Sequence, residues 1–454
     1  MNAARPVSEN AGDEFRGAHA SLVPVSASRR NELSTTAQSR WALTPLRERL
    51  RIIRELRHLI AENADALADA AAAVSDRPRA EKLVSEVLPL ADACRWLEKN
   101  AARILAPRRA GKRGRPFWMQ GVSFEVQRQP FGVVLVIGPG NYPFFLPAVH
   151  SLHALVAGNS VLLKPAPATR QVARTFARLA IEAGLDPALL TILPESVEAA
   201  RDAIADGVDK VVFTGSSENG RDVLAALAGT NTPAVMELSG DDAVIVLADA
   251  DLDLVACALR FGARLNDGET CIAPRRLIVV GDVPEGLRKL AGGVSHRNPS
   301  KDDIRPGGTA EIPIHTVRDE AEAIALINSA DFALGASIFS RDIDKARALA
   351  AQIKTGFVLI NDLIVPTADP RMPFGGVKAS GFGTTRGDEG LLEMTFPHVI
   401  AIRRGRSHPH FDEPGPDDAH LFSAYIRAAH GRSRFAAIRE LFRALIDKTK
   451  SRKS

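Results

Sequence analysis

From Val133 onward the chain repeats one unit: a short apolar run, a turn rich in Gly, Pro or Lys, and a helical stretch. Val133–Ile137 ends at Gly138-Pro139-Gly140-Asn141-Tyr142-Pro143. Ser160–Leu163 ends at Lys164-Pro165-Ala166, ahead of a helix around Ala173–Ala183. Leu190–Leu193 and Lys210–Phe213 are further strand-like runs, and the second ends at Thr214-Gly215-Ser216 before a helix that starts near Gly220. Strands that alternate with helices across short turns imply an α/β, doubly wound parallel sheet, Rossmann-like in character. Ligands of such sheets bind beyond the carboxyl ends of the strands, so these three turns are expected at one crevice. His150 and His153 fall on the first of the helices; with no third ligand nearby they read as packing residues, and no metal site is expected.

Around this repeat the other elements are less regular. Residues 1–35 are polar and read as a mobile arm. Thr44-Pro45 has helix-start chemistry, and Leu46, Leu50, Ile53, Leu56 and Ile60 recur at helical spacing. A second helix is expected from about Ala80 to Leu105, and Cys94 continues its apolar stripe with Leu83, Val87, Leu90 and Leu97. The basic stretch Pro107–Pro116 reads as a solvated loop, followed by the alternating strand Val122–Val126. Glu237-Leu238-Ser239-Gly240 precedes the apolar run Ala243–Leu247, an acidic turn at Asp249–Asp253, a helix, and Gly268-Glu269-Thr270-Cys271 on a loop. Strands at Leu277–Val280, Ala336–Phe339 and Phe357–Ile360 alternate with helices at Ala321–Ile327 and Ile343–Ile353. A Gly-rich loop, Pro373 to Gly383, and a last strand, His398–Arg403, close the pattern. Beyond a Pro-rich linker, Phe435, Ile438, Leu441, Phe442 and Leu445 mark an amphipathic tail helix, expected to dock on the body or a partner subunit rather than on a membrane.

The length, 454 residues, allows two or three domains. A formal charge of +4 is too mild to argue for nucleic acid or a membrane surface. Three scattered cysteines, Cys94, Cys257 and Cys271, form neither a disulfide framework nor a metal pattern, and a cytoplasmic setting is expected. Met1 to Thr35 has no apolar core of signal-peptide length, and no run along the chain could span a bilayer.

One carboxylate and one thiol beside glycines, Glu237 and Cys271, are the minimum for thiol nucleophilic catalysis followed by attack of water. Taken with the turns at Gly138–Pro143, Lys164–Ala166 and Phe213–Ser216 and the stretch Pro373-Phe374-Gly375-Gly376-Val377-Lys378, the ordered set resembles the signature elements of the aldehyde dehydrogenase superfamily. The order matches from about residue 40 to 404, and the wording around Asn141 and Cys271 is closest to the branch acting on fatty and aromatic aldehydes.

That resemblance implies roles. Cys271 would attack the aldehyde carbon, the Asn141 amide and the Cys271 backbone N–H would hold the oxyanion, and Glu237 would activate the hydrolytic water. Pro139, Lys164, Gly215, Ser216, Gly220 and Leu238 would hold NAD or NADP, with Lys164 at the adenosine ribose and Gly215-Ser216 at the pyrophosphate. Pro167 stands where many NAD-preferring relatives carry a glutamate, so NADP is expected to be tolerated. The family's Glu-Glu-x-Phe-Gly-Pro element is replaced by Arg305-Pro306-Gly307-Gly308-Thr309, and Leu277–Ala321 is short. Asp241 and Glu269 also depart from the usual lysine and glutamine. These departures keep two further readings in view: an acyl-thioester reductase, and a homologue that binds nucleotide or partners without turnover. The implied layout is a cofactor domain over 36–240, a shortened catalytic domain over 241–375, a return over 376–404, and a linker with tail over 411–454. A hairpin near 118–132 and a strand near 397–404 would pair subunits into a homodimer.

Overall fold

The computed structural model describes residues 27–73, 77–293, 295–296, 310–405, 408–411, 413–415 and 418–451. The chain divides into two compact units, Met1–Arg108 with Val126–Val399, and Arg109–Glu125 with Ile400–Ser454.

The first unit holds two parallel sheets. Val133–Ile137 is all β-branched or leucine and buried along its length, the signature of a strand covered on both faces. It pairs in parallel with Ser160–Lys164 on one side and Lys210–Thr214 on the other. Leu190–Ile192 and Ala234–Glu237 extend the sheet outward, and Gly381–Phe382 adds an antiparallel edge. The edge glycine is required: Gly381 has φ +107°, and a Cβ there would lie 1.9 Å from the Met236 carbonyl oxygen. Alternate residues serve different cores. Val134, Val136, Val161 and Leu163 face the helices Leu46–Glu62, Leu88–Ile104, Phe145–Ala157 and Arg170–Glu182. Val133, Leu135, Ile137 and Leu162 face the opposite core with Phe213 and Leu227.

In this sheet the chain runs outward from Val133–Ile137 in one direction, then returns to its other side at Lys210–Thr214. That reversal is the topological switch point, and the turns at Gly138 and Gly215 leave it from the carboxyl ends. The second sheet has the order Ile314–Val317, Arg276–Val280, Ala243–Val246, Gly335–Phe339, Phe357–Ile360, parallel throughout. It too reverses, between Ala243–Val246 and Gly335–Phe339.

Several expectations are corrected. Residues 27–35 are helical, within Ala27–Leu43; the helix is fixed by hydrogen bonds from Ser34 Oγ to Ser160 Oγ, Gln38 Nε2 to the Gly158 carbonyl and Trp41 Nε1 to the Leu155 carbonyl. The rest of the expected arm, 1–26, lies outside the described residues, as does Arg305–Thr309. The helix expected from Ala80 is interrupted by a π-helical turn, Leu83–Val87, which turns Glu86 inward. The basic stretch contains a strand, Arg108–Ala110, and the hairpin expected near 118–132 does not form as such. Val122–Pro130 belongs to a three-stranded sheet with Arg108–Ala110 and Thr395–Arg403, whereas Val133–Ile137 belongs to the parallel sheet. Gly132, at φ +138°, turns the chain from one sheet to the other.

In the second unit the tail is a helical hairpin rather than one helix: Asp418–His430 packs on Arg434–Ser451. Ala424, Ala437 and Ala444 are buried, and ion pairs join Arg427 to Glu440 and Lys448 to Asp418. No described helix is long and apolar enough to cross a membrane.

Candidate active site

A cleft of about 630 Å³ opens at the switch point of the first sheet. Pro139, Asn141, Lys164, Gly215, Ser216, Glu237, Leu238 and Cys271 all line it. Gly220 does not. It lies behind the wall on Ser217–Leu227, where a Cβ would approach the Leu238 side chain to 2.5 Å, so its part is to let that helix sit close to the strand end.

The thiol loop is folded tightly. Asn266 and Asp267 both adopt left-handed conformations, which Asn and Asp tolerate better than other side chains. Two distant segments and one nearby arginine then tie the loop down. Glu81 Oε1 accepts from the Asn266 N–H at 2.9 Å. Arg275 Nη2 donates to the carbonyls of Gly268 and Thr270 at 2.9 and 3.2 Å. The Tyr142 and Thr270 hydroxyls are 2.8 Å apart. Asn141 Nδ2 donates to the Glu269 carbonyl at 2.8 Å, so the amide assigned to the oxyanion also anchors the backbone two residues before Cys271.

The loop bearing Asn141 is held in turn from the segment before the first sheet and from the thiol loop itself. Arg77 Nη2 and Asn266 Nδ2 both donate to the Asn141 carbonyl at 3.1 Å. Glu86, turned inward by the π turn and paired with the buried Lys82 at 3.0 Å, accepts from the Phe144 and Phe145 N–H groups at 2.7 and 3.2 Å. A carboxylate at the start of Phe145–Ala157 satisfies donors that a helix leaves open there.

Electrostatics separate the ionisable groups. Cys271 is partly exposed; burial of the thiol, then the charges of Glu237 and Asp242, push it up to about 12, against Arg386 and Arg275. Burial alone would raise Glu237, but its polar neighbours, His150 first and then Arg386 and the Thr385 hydroxyl, outweigh it and hold the carboxyl below its ordinary value. Thr214 Oγ1 donates to Glu237 Oε2 at 3.1 Å, and the Thr385 hydroxyl to Oε1. Asp242 goes the other way: burial raises it to about 7 despite the Gly335 N–H and Arg275. Arg386, at φ +60°, stacks its guanidinium 4.3 Å from the Phe374 ring centre.

His150, Thr214, Thr385 and Arg386 were not singled out as functional from the sequence. Thr214 adjoins Gly215 and could have been found by its place in the turn. Thr385 and Arg386 lie beyond the Gly-rich stretch, and nothing in their spacing points to Glu237. His153 packs, with Nδ1 2.8 Å from the Val149 carbonyl and its ring 6.1 Å from Trp96. Among the described residues no group of three His, Cys, Asp or Glu is placed to hold a metal.

The cleft fits a dinucleotide. Ser217–Leu227 points its N-terminus from the switch point, Ser216 caps it by accepting from the Asn219 N–H, and the exposed N-terminal turn favours a phosphate. Lys164, Pro167 and Arg201 line the same cleft, and no carboxylate stands at position 167.

The sequence model of the aldehyde dehydrogenase family matches residues 24–298 and 312–400. The chain is 32% identical over 423 residues to a 4,4'-diapolycopene aldehyde oxidase of Methylomonas sp., covering 81% of this chain and 79% of the relative. It is 31% identical to a vanillin dehydrogenase of Corynebacterium glutamicum, over 85% of this chain and 91% of that one. Its fold superposes with TM-score 0.75 on a succinic semialdehyde dehydrogenase of Streptococcus pyogenes solved with NADP+, at 23% identity, covering 83% of this chain and 95% of the other.

Proposed function

Since the chain belongs to the aldehyde dehydrogenase family and is an NAD(P)-dependent aldehyde dehydrogenase, we propose that it oxidises a fatty or aromatic aldehyde to the carboxylic acid through Cys271. The observation that carries this reading is the cleft at the switch point, lined by a thiol, an amide and a carboxylate from three distant segments. Cys271, partly exposed to the cleft, loses its proton to solvent and adds as thiolate to the aldehyde carbon, and the oxyanion is met by the Asn141 amide and the Cys271 N–H. The nicotinamide cofactor, when bound, supplies the hydride acceptor. Lys164, Gly215 and Ser216 would hold its adenosine and pyrophosphate, leaving Glu237 to take a proton from the water that cleaves the acyl thioester. A buried base is of no use to an acyl-thioester reductase, so Glu237 favours release of an acid.

The aldehyde class is supported by the relatives, one acting on a long polyene aldehyde and one on an aromatic aldehyde by their names. Absorbance of reduced cofactor with octanal and benzaldehyde, with C271A as control, tests the reading. Turnover that needs coenzyme A would replace it with the reductase. With Pro167 in the cleft, NADP should be used within about tenfold of NAD; a ratio of catalytic efficiencies far above that overturns cofactor tolerance.

We also read the protein as a homodimer in the cytoplasm. The strand Thr395–Arg403 lies at the edge of its sheet and carries exposed Phe396, Val399 and Ile402, an edge that a second copy can pair with. Light scattering of the purified chain tests it; a monomer at micromolar concentration rules it out.

A further inference from the structure

The chemistry above makes no use of His150, and the sequence gives it no role beyond packing. Its surroundings are those of a functional group. His150 lies on Phe145–Ala157 and is 1% exposed. Its Nε2 is 3.6 Å from Glu237 Oε2 and 3.4 Å from Thr214 Oγ1, while Thr214 bonds the same carboxylate oxygen at 3.1 Å. Its Nδ1 is buried with no hydrogen-bond partner. His153, one turn on, is anchored to its own helix through the Val149 carbonyl; His150 has no such anchor, and both of its polar neighbours lead to Glu237. The other groups with charge or polarity around this triangle are Arg386 and Thr385, from the segment after the Gly-rich loop, His153 from the same helix, and Cys271 from the thiol loop.

We propose that His150 is the positioning residue for Glu237 and stores the proton that Glu237 removes from the hydrolytic water. This rests on the dehydrogenase reading. As water attacks the acyl thioester, its oxygen bonds the acyl carbon, the carbon–sulfur bond breaks, and Cys271 leaves as thiolate with the bonding pair. The proton lost by the water goes to the Glu237 carboxylate. Glu237 then passes it to Thr214 Oγ1, and the Thr214 hydroxyl gives its own proton to His150 Nε2. The imidazolium that results faces a carboxylate again ionised, so the charges formed in the buried site are opposite and adjacent. Without His150 the proton would remain on a carboxyl surrounded by Thr214 and Thr385, and the base would be spent until solvent reached it.

The test separates the two halves of the reaction in the full-length protein. Wild type, H150Q and T214V are mixed with NADP+ or NAD+ and with octanal or benzaldehyde, and the first turnover and steady state are followed by absorbance of reduced cofactor. Acylation and hydride transfer do not need His150, so the first-turnover burst of H150Q should stay within about twofold of wild type. Its steady-state rate should fall by about tenfold to a hundredfold, because deacylation becomes slow. The acid limb of the steady-state pH profile should shift, because the group that receives the proton from Glu237 is gone. T214V, which keeps the imidazole and breaks the bridge, should show the same pattern to a smaller degree and covers the case of a poorly folded H150Q. Burst and steady state falling together, with the acid limb unmoved in both variants, would show His150 to be a packing residue and overturn the proposal. A wild type that forms no reduced cofactor with either aldehyde overturns the dehydrogenase reading, and this inference with it.

Discussion

The two parallel sheets have the same reversal of strand order, and only one of them keeps a ligand site there. In the first sheet the switch point opens on Gly138 and Gly215, and the helix Ser217–Leu227 offers its N-terminus to an open cleft. In the second, the turn after Ala243–Val246 carries Asp249, whose carboxylate reaches across the switch point. It accepts from Ser340 Oγ at 2.9 and 3.0 Å, from the Arg341 N–H at 2.9 Å and from the Asp342 N–H at 3.0 Å. Those donors precede the helix Ile343–Ala350, the place where the first sheet would receive an anion. Topology supplies a candidate anion site twice; a carboxylate in the chain fills one, and glycine keeps the other accessible from the cleft. The Asp249 carboxyl is accordingly held below its ordinary value: burial raises it, and the hydrogen bonds from Asp342, Ser340 and Arg341 together outweigh that.

The contrast can be broken most severely at the open site itself. C271A should show no turnover while still binding cofactor, and E237Q should keep the first-turnover burst but lose about 10²–10⁴-fold in steady state; rapid-mixing absorbance separates the two. A carboxylate placed at the open switch point should make it resemble the closed one. G215D introduces a charge opposite the pyrophosphate position and a Cβ that meets the Phe213 ring at 2.7 Å. Cofactor affinity, read by fluorescence titration, should fall by about tenfold to a hundredfold, from roughly 1–3 kcal/mol of lost helix-terminus contact and repulsion. An unchanged affinity would show that the cofactor does not use this helix.

Emptying the closed site should cost stability and leave activity intact. D249A removes the acceptor for three donors and should destabilise by about 1–3 kcal/mol, a few degrees in Tm. The sign with pH follows from the lowered folded value: the Asp249 contribution is present above the unfolded carboxylate range near about pH 4 and is lost as pH falls through the folded value. The gap between wild type and D249A in thermal melts should therefore narrow in acid. Asp242, between the two sheets in sequence, gives an effect of opposite sign. Its folded value, about 7, lies above the unfolded one, so its stabilising share holds below about pH 4 and is lost as pH rises toward 7. D242N should melt with a flatter pH dependence between about 4 and 7 than wild type; parallel curves would mean that Asp242 is ionised throughout.

Much of the fold was legible. The runs at Val133, Ser160, Lys210 and Ala243 announce themselves as buried strands because both faces of each must be apolar. The turns at Asn141, Lys164 and Gly215 could be assigned to one crevice from the alternation alone. Less was legible where an element is made by partners far away. Residues 27–35 looked irregular because their helix is held by Ser160, Gly158 and Leu155, more than a hundred residues on. Glu86 falls within the helix expected from Ala80, and the π turn that buries it leaves no simple periodic mark.

The sequence by itself determined the parallel architecture, the family, and a thiol, an amide and a carboxylate beside glycine turns, because these follow from short-range pattern and residue type. Only the tertiary structure decided which ionisable groups act on one another. That His150 faces Glu237 while His153 does not, and that Asp249 fills one switch point while Gly215 leaves the other open, depends on strand register and helix placement. Charge interactions fall off over a few ångströms, so they are fixed by distances that the order of residues along the chain does not specify.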